Sequence, residues 1–205
     1  MSTSKLSRPG GEAGEPKPAS RRWIGWILAL ALALRLAHWL AVGDHPFVAW
    51  PVNDSQTYER WASEVASGGW LGSGAFFQAP LYPYVLGVVF RLGGHHLALA
   101  YWLQALLSVA ACYALYRAGR AMEGEGLGLA AGALLVVNPV LVFYDFQLMK
   151  ESLATAVVSF LLWALVVARE PGRRPGLWLG VGAICGGVAL LRENMLLVAP
   201  LFLVL

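Results

Sequence analysis

Two acids in this sequence stand where a carboxylate could act at the edge of a membrane. Asp54 lies near the start of the mixed polar and aromatic stretch of residues 51–83, and Glu151 lies in the short polar segment 144–151, between apolar runs. A carboxylate within hydrogen-bond reach of a hydroxyl can take its proton. A third polar segment carries Arg192, and a guanidinium can hold a phosphate through two parallel hydrogen bonds. These residue types indicate chemistry on a lipid-borne, phosphate-bearing substrate.

Each of these residues also has an explanation that involves no catalysis. Asn53 and Asp54 precede a helical pattern, where either side chain can serve as a cap for the first turn. Polar loops are ordinary at a membrane surface, so acids on one face are weak evidence of a site. Arg35 lies inside the first apolar run, where it can snorkel or pack, or else lie beside an anionic substrate. Residue spacing alone leaves these alternatives open.

The composition indicates a membrane protein. Hydrophobic residues make up 58% of the chain and charged residues only 13%, whereas a soluble domain has about 25% charged residues. Several apolar runs approach the roughly 20 residues that a helix needs to cross the hydrocarbon layer. We therefore predict an all-α fold, a polytopic transmembrane helical bundle. The net charge of +3 is too small to indicate a nucleic-acid partner.

Apolar runs and basic residues together predict the topology. The predicted spans are residues 23–43, 97–116, 127–143, 152–168 and 176–191, with a kink at Asn138-Pro139 in the third. Arginines fall at one end of these spans, in segments 21–22, 117–120 and 169–174. Since positive residues favour the cytoplasmic side, we expect a cytoplasmic N-terminus, with Asp54, Glu151 and Arg192 on the extracytoplasmic face.

The chain is expected to contain one domain behind a tail. Residues 1–20 are rich in Gly, Pro, Ser and charge, which predicts a disordered cytoplasmic tail. Residues 21–205 are predicted to be the N-terminal part of a transmembrane domain. The apolar run 195–205 is too short to cross a bilayer, so we expect the chain to be a fragment of a longer protein.

The first extracytoplasmic loop is predicted to contain interfacial helices. Apolar residues recur there at helical spacing, which predicts an amphipathic helix that ends at Gly68-Gly69; they are Tyr58, Trp61, Ala62, Val65 and Ala66. Residues 80–92 are apolar but too short to span, which predicts a second interfacial or re-entrant helix. Tyr58 follows Asp54 by one helical turn, so the two side chains should lie near one face.

Four motifs in order carry a resemblance. They are D-S-Q-T-Y with a helix ending in S-G-G-W, then F-F-Q-A-P-L-Y-P-Y, then N-P-V-L-V-F-Y followed by K-E-S, and last L-R-E-N. This order resembles the start of the bacterial GT-C membrane glycosyltransferases. It is most similar to the branch with the aminoarabinose transferases of lipid A, the rhizobial galacturonosyl transferases and, more distantly, the protein O-mannosyltransferases. The resemblance covers roughly residues 20–205, the N-terminal half of such an enzyme.

The resemblance implies a membrane glycosyltransferase of the bacterial inner membrane. Such an enzyme moves a sugar from a polyprenyl-phosphate donor to a lipid, glycan or protein acceptor at the extracytoplasmic face. It implies catalytic carboxylates at Asp54 and Glu151, and the leaving lipid phosphate needs positive charge nearby. The expected substrate-binding residues are Tyr58, Arg192, Arg35 and Lys150.

Ser55 marks one departure from the family pattern. Many relatives carry a second acid near the first-loop Asp, whereas here Ser55 follows Asp54. The cofactor therefore stays unknown, and a divalent metal held by Asp54 and Glu151 stays open.

Two other classes of protein stay open as well. In a transporter or flippase subunit, Arg35 and His38 would line a path through the membrane. In a non-catalytic membrane scaffold, Asp54→Asn and Glu151→Gln would leave function unchanged.

Overall fold

A computed structural model describes residues 18–70, 78–170, 172, 175–192 and 194–195, with side chains from residue 22 onward. Within these ranges the chain is all-α and contains no strand, which confirms the predicted fold class. The helices are α1 Pro18–Val42, α2 Pro46–Ala49, α3 Asp54–Ala66, α4 Leu81–Gly93, α5 Leu97–Glu123, α6 Glu125–Val136, α7 Pro139–Tyr144, α8 Glu151–Ala168 and α9 Gly176–Leu191. Of the predicted tail, residues 1–17 lie outside the described residues, and α1 already includes residues 18–20.

Among the residues that the structure describes, three helices are long and apolar enough to cross a membrane. They are Arg22–Val42 of α1, the whole of α5 and the whole of α8, which correspond to the predicted spans 23–43, 97–116 and 152–168. Helix α5 continues past residue 116 to Glu123, because the added residues are mostly good helix formers. Helices α4, α6 and α9 are apolar but shorter.

The predicted span 127–143 is divided in two at the expected kink. Helix α6 ends at Val136 and α7 begins at Pro139. The Asn138 side chain accepts hydrogen bonds from the backbone N–H groups of Val140 and Leu141, at 3.1 and 3.4 Å. Proline suits the first helical position because it has no N–H to satisfy. The Asn-Pro pair therefore ends one helix and starts the next.

Helix α5 lies at the centre of the bundle. It packs most extensively against α8 and α6, while α1 packs on α5 and α6, and α9 packs on α8. Small residues let α5 and α6 approach closely, as is common between membrane helices. A Cβ atom added at Gly128 of α6 would lie 2.7 Å from the Tyr116 carbonyl oxygen of α5. This contact fixes the two helices at the end of the bundle near Gly124.

The first loop folds into a helical pair. Helix α3 packs against α4, with Tyr58, Ala62 and Val65 buried, so the predicted amphipathic helix is confirmed. Asn53 precedes it with φ 53° and makes no side-chain capping bond. Asp54 is the first helical residue, where the helix dipole stabilises a negative charge. The explanation that the Asn53 side chain caps α3 is therefore wrong.

One end of the bundle gathers the segments that the sequence analysis singled out. The Tyr101 hydroxyl at the start of α5 donates a hydrogen bond of 2.9 Å to the carbonyl oxygen of Val48 in α2. Gln104, one turn later, bonds to the 145–150 segment. The first loop, the 145–150 segment and the start of α8 therefore lie at one end, which we call the loop end.

Candidate active site

The loop end holds an ion pair between Glu151 and Arg192. Glu151 is the first residue of α8, and Arg192 follows the last residue of α9 in extended conformation. The Arg192 Nη2–H group donates to Glu151 Oε1 at 2.9 Å. The Arg192 side chain is 38% exposed and the Glu151 side chain 21% exposed. Such a partly exposed pair adds only about 0–1 kcal/mol to stability. Its charges are therefore available for a ligand at little energetic cost.

The hydrogen bonding of this pair is incomplete within the described residues. Glu151 Oε2 is buried and has no hydrogen-bond partner there. An unsatisfied buried acceptor typically costs about 1–3 kcal/mol. A guanidinium carries five N–H donors, so the bond to Glu151 leaves Arg192 with further donors. The pair thus offers both an acceptor and donors to a polar ligand.

A cavity of about 400 Å³ lies beside the pair, within the usual size of ligand sites. Its wall follows α8 from Glu151 to Leu162, a length of about 16 Å at the helical rise per residue. Tyr144, Thr155 and Ser159 are its other polar residues. Apolar residues of four other segments complete it, including Leu115, Leu135, Leu141, Val188 and Leu191. The cavity is therefore charged at the loop end and mainly apolar along the membrane helices.

Asp54 lies outside the lining of this cavity, in the exposed first turn of α3. Buried aromatic rings connect α3 to the surroundings of Glu151. The Tyr58 ring meets the Tyr82 ring edge-on at 5.0 Å between centroids. The Tyr82 hydroxyl bonds to Gln104, which in turn bonds to the segment that precedes Glu151. The structure thus brings Arg192 and Glu151 into contact. That Asp54 and Glu151 act over a shared pocket remains a prediction.

The other expected substrate-binding residues differ in accessibility. Lys150 is partly exposed and directly precedes α8, so it lies next to the ion pair in the chain. Tyr58 is buried, at 1% exposure, in the core between α3 and α4. Arg35 is fully buried. Neither Tyr58 nor Arg35 lines the cavity, so a direct contact of either with substrate remains a prediction.

Arg35 forms an internal ion pair that the sequence analysis did not identify. Its Nε–H group donates to Asp145 Oδ2 at 2.7 Å, and both side chains are 0% exposed. The hydroxyls of Ser108 and Ser152 donate to Asp145 Oδ1 at 2.5 and 2.7 Å. Burial raises the pKa of the Asp145 carboxyl, and the adjacent Arg35 guanidinium acts in the opposite direction. One signal was available, because an arginine inside a span often pairs with another ionisable side chain in the bundle interior.

No group of three or more His, Cys, Asp or Glu side chains lies in position to hold a metal ion within the residues that the structure describes. Glu151 has one carboxylate oxygen bonded to Arg192 and one without a partner there. Asp54 and Glu151 remain the predicted ligands should a divalent metal bind. The described residues provide no third His, Cys, Asp or Glu ligand beside them.

A known protein family matches more than half of the chain. The model of the dolichyl-phosphate-mannose-protein mannosyltransferase family matches residues 77–205, which is more than half of the chain and includes Glu151 and Arg192. No curated protein and no solved structure matches the chain at a significant level. The predicted resemblance to GT-C enzymes is confirmed. The chain belongs to the dolichyl-phosphate-mannose-protein mannosyltransferase family, and is a membrane glycosyltransferase of the GT-C type.

Proposed function

We propose that this protein transfers a sugar from a polyprenyl-phosphate donor to a hydroxyl of a lipid, glycan or protein acceptor. The reaction takes place at the extracytoplasmic face of the bacterial inner membrane. The observation that carries the proposal is the Glu151–Arg192 pair beside a mainly apolar cavity. Membership of the family supports a lipid-linked sugar donor.

The cavity has a charged end for the donor phosphate and an apolar wall for the polyprenyl chain. The phosphate binds the free N–H donors of Arg192, with Lys150 adding positive charge nearby. The polyprenyl chain lies along the apolar wall toward Leu162, where burial contributes about 25 cal/mol per Å² of apolar surface. Positive charge close to the phosphate also stabilises the charge that develops as the phosphate leaves.

The two acids take different roles in the transfer. Asp54 accepts the proton of the acceptor hydroxyl as that oxygen attacks the anomeric carbon of the sugar. The bond from this carbon to the phosphate oxygen breaks, and polyprenyl phosphate leaves with the electron pair. Glu151 Oε2 accepts a hydrogen bond from a sugar hydroxyl and so orients the donor. The attack from the opposite side inverts the configuration of the sugar carbon.

The arginines at the other end of the bundle support the proposed orientation in the membrane. Arg117 and Arg120 lie in the last turns of α5, and Arg169 follows α8. These residues lie at the ends of α5 and α8 farthest from Tyr101 and Glu151. Positive residues favour the cytoplasmic side. This supports a cytoplasmic N-terminus and an extracytoplasmic loop end.

Transfer of radiolabelled sugar from polyprenyl-phosphate donors, measured on the full-length protein in lipid nanodiscs, tests the role of Asp54. General-base catalysis contributes about 10²–10⁴-fold, so Asp54→Asn should reduce transfer by at least about 10²-fold. Glu64→Gln is the matched control, because Glu64 is also an exposed acid of α3. Transfer by Asp54→Asn at the rate of the control would remove Asp54 from the mechanism.

A further inference from the structure

A buried amide on α5 connects the segments that carry the two proposed catalytic acids. Gln104 is 4% exposed. Its Nε2 group donates to the carbonyl oxygens of Asp145 and Gln147, at 3.0 and 2.7 Å. Its Oε1 atom accepts a hydrogen bond of 2.6 Å from the Tyr82 hydroxyl of α4. One side chain thus joins α4, α5 and the 145–150 segment.

The direction of each bond in this network is fixed. Backbone carbonyls only accept hydrogen bonds, so both N–H groups of the Gln104 amide must point at the 145–150 segment. The amide oxygen then faces α4, and the Tyr82 hydroxyl must donate to it. Buried polar networks specify a single arrangement when every member is satisfied. Neither a carboxylate at position 104 nor a phenyl ring at position 82 can reproduce this arrangement.

The network contacts both segments that carry the acids. On one side, the 145–150 segment leads directly into Glu151, and Ser152 holds it by a hydrogen bond to Asp145. On the other side, the Tyr82 ring contacts Tyr58, one helical turn after Asp54 on α3. Gln104 itself does not line the cavity. Its effect on the acids is therefore through the backbone of one segment and the aromatic contact with the other.

We propose that Gln104 is a positioning residue for the transfer reaction, setting the placement of the α3–α4 pair that carries Asp54 relative to the start of α8 that carries Glu151. The consequence for catalysis rests on the proposed function, whereas the geometric claim does not. A misplacement of about 1 Å between reacting groups can cost about 10²-fold in rate. Loss of the amide should therefore lower kcat, while Arg192 and the cavity continue to bind the donor.

Two variants test this proposal. Gln104→Glu keeps the size of the side chain but sets acceptor oxygens against two carbonyls, and Tyr82→Phe removes a single hydroxyl. Gln147→Glu is the matched control, because it adds the same charge nearby while the network uses only the backbone of Gln147. We expect kcat to fall by about 10-fold to 10²-fold in the two variants, with KM for the donor within about twofold of wild type.

The second measurement is a distance that does not depend on activity. Spin labels are attached at exposed Glu64 of α3 and exposed Asn194 beyond α9, after Cys112 and Cys185 are replaced by alanine. Double electron–electron resonance in nanodiscs should give one narrow distance distribution in the parent and in Gln147→Glu. The distribution should broaden or shift in Gln104→Glu and, to a smaller extent, in Tyr82→Phe.

These outcomes separate the two claims. An altered distribution in a protein that transfers no sugar from any polyprenyl-phosphate donor would support the positioning role and contradict the proposed function. A wild-type distribution and wild-type kcat in Gln104→Glu would overturn the positioning role and leave the proposed function intact. Because Tyr82→Phe deletes only one atom, it provides the same test if Gln104→Glu does not fold.

Discussion

Two glutamate–arginine pairs lie at opposite ends of the bundle, and they differ in how completely they are bonded. Glu125 begins α6 and pairs with Arg120 at 3.2 Å, whereas Glu151 begins α8 and pairs with Arg192 at 2.9 Å. The Tyr116 hydroxyl also donates to Glu125 Oε1 at 3.0 Å, so both oxygens of that carboxylate are bonded. Glu151 Oε2 is buried without a partner in the described part of the chain, beside a cavity.

The sequence separation of the partners sharpens this contrast. Arg120 and Glu125 flank the turn at Gly124 between α5 and α6, so that pair closes a local connection. Arg192 and Glu151 are 41 residues apart and join α8 to the end of α9. The same two residue types thus form a local, fully bonded contact at one end and an incompletely bonded one at the other. An acid becomes a candidate for chemistry when its hydrogen bonding is left incomplete beside a space for a ligand.

Replacing each glutamate by glutamine should give the largest difference between the two pairs. Glu151→Gln should lower sugar transfer by about 10²-fold or more, because the amide weakens both the contact with Arg192 and the acceptor aimed at the sugar. Glu125→Gln should leave transfer unchanged and cost at most about 1 kcal/mol of stability, as expected for a partly exposed ion pair. Equal losses of transfer in the two variants would show that Glu151 has no special role.

A smaller effect, on stability alone, is expected from overpacking the α5–α6 contact at the end of the bundle that carries Glu125. In Gly128→Ala the new methyl group would meet the Tyr116 carbonyl oxygen at 2.7 Å, and overpacking typically costs about 1–3 kcal/mol. We therefore expect a lower thermal midpoint in detergent, with transfer unchanged below that temperature. Gly126→Ala is the control, since nothing lies within 4 Å of its added Cβ. A drop in transfer without a drop in stability would indicate that this end takes part in the reaction.

Local features of the fold were predictable from the sequence. Helix α3 follows from its apolar spacing, and the break before α7 follows from Asn138-Pro139, because each depends on neighbouring residues. Helix α5 continues past the predicted span 97–116, since the arginines after residue 116 favour both a membrane boundary and a continuing helix.

Contacts between distant residues were only partly predictable. Arg192 and Glu151 were assigned to one face by counting spans, and they are in contact. The partner of Arg35 was missed, because Asp145 looks like an ordinary loop acid when only its neighbours are considered. Gln104 was missed for a similar reason, since an amide inside an apolar run gives no sign of which backbone carbonyls it will reach.

The most direct test of the account is to locate the bound donor lipid. A polyprenyl-phosphate sugar with a photoreactive group in its chain is crosslinked to the protein in nanodiscs, and the labelled peptides are identified by mass spectrometry. We predict labelling of α8 between Glu151 and Leu162 and of the cavity-lining residues of α9. Unlabelled donor should compete with this labelling, and Arg192→Ala should reduce it. Labelling confined to the outer face of α1 and unaffected by Arg192→Ala would contradict the assignment of the Glu151–Arg192 pair as the donor site.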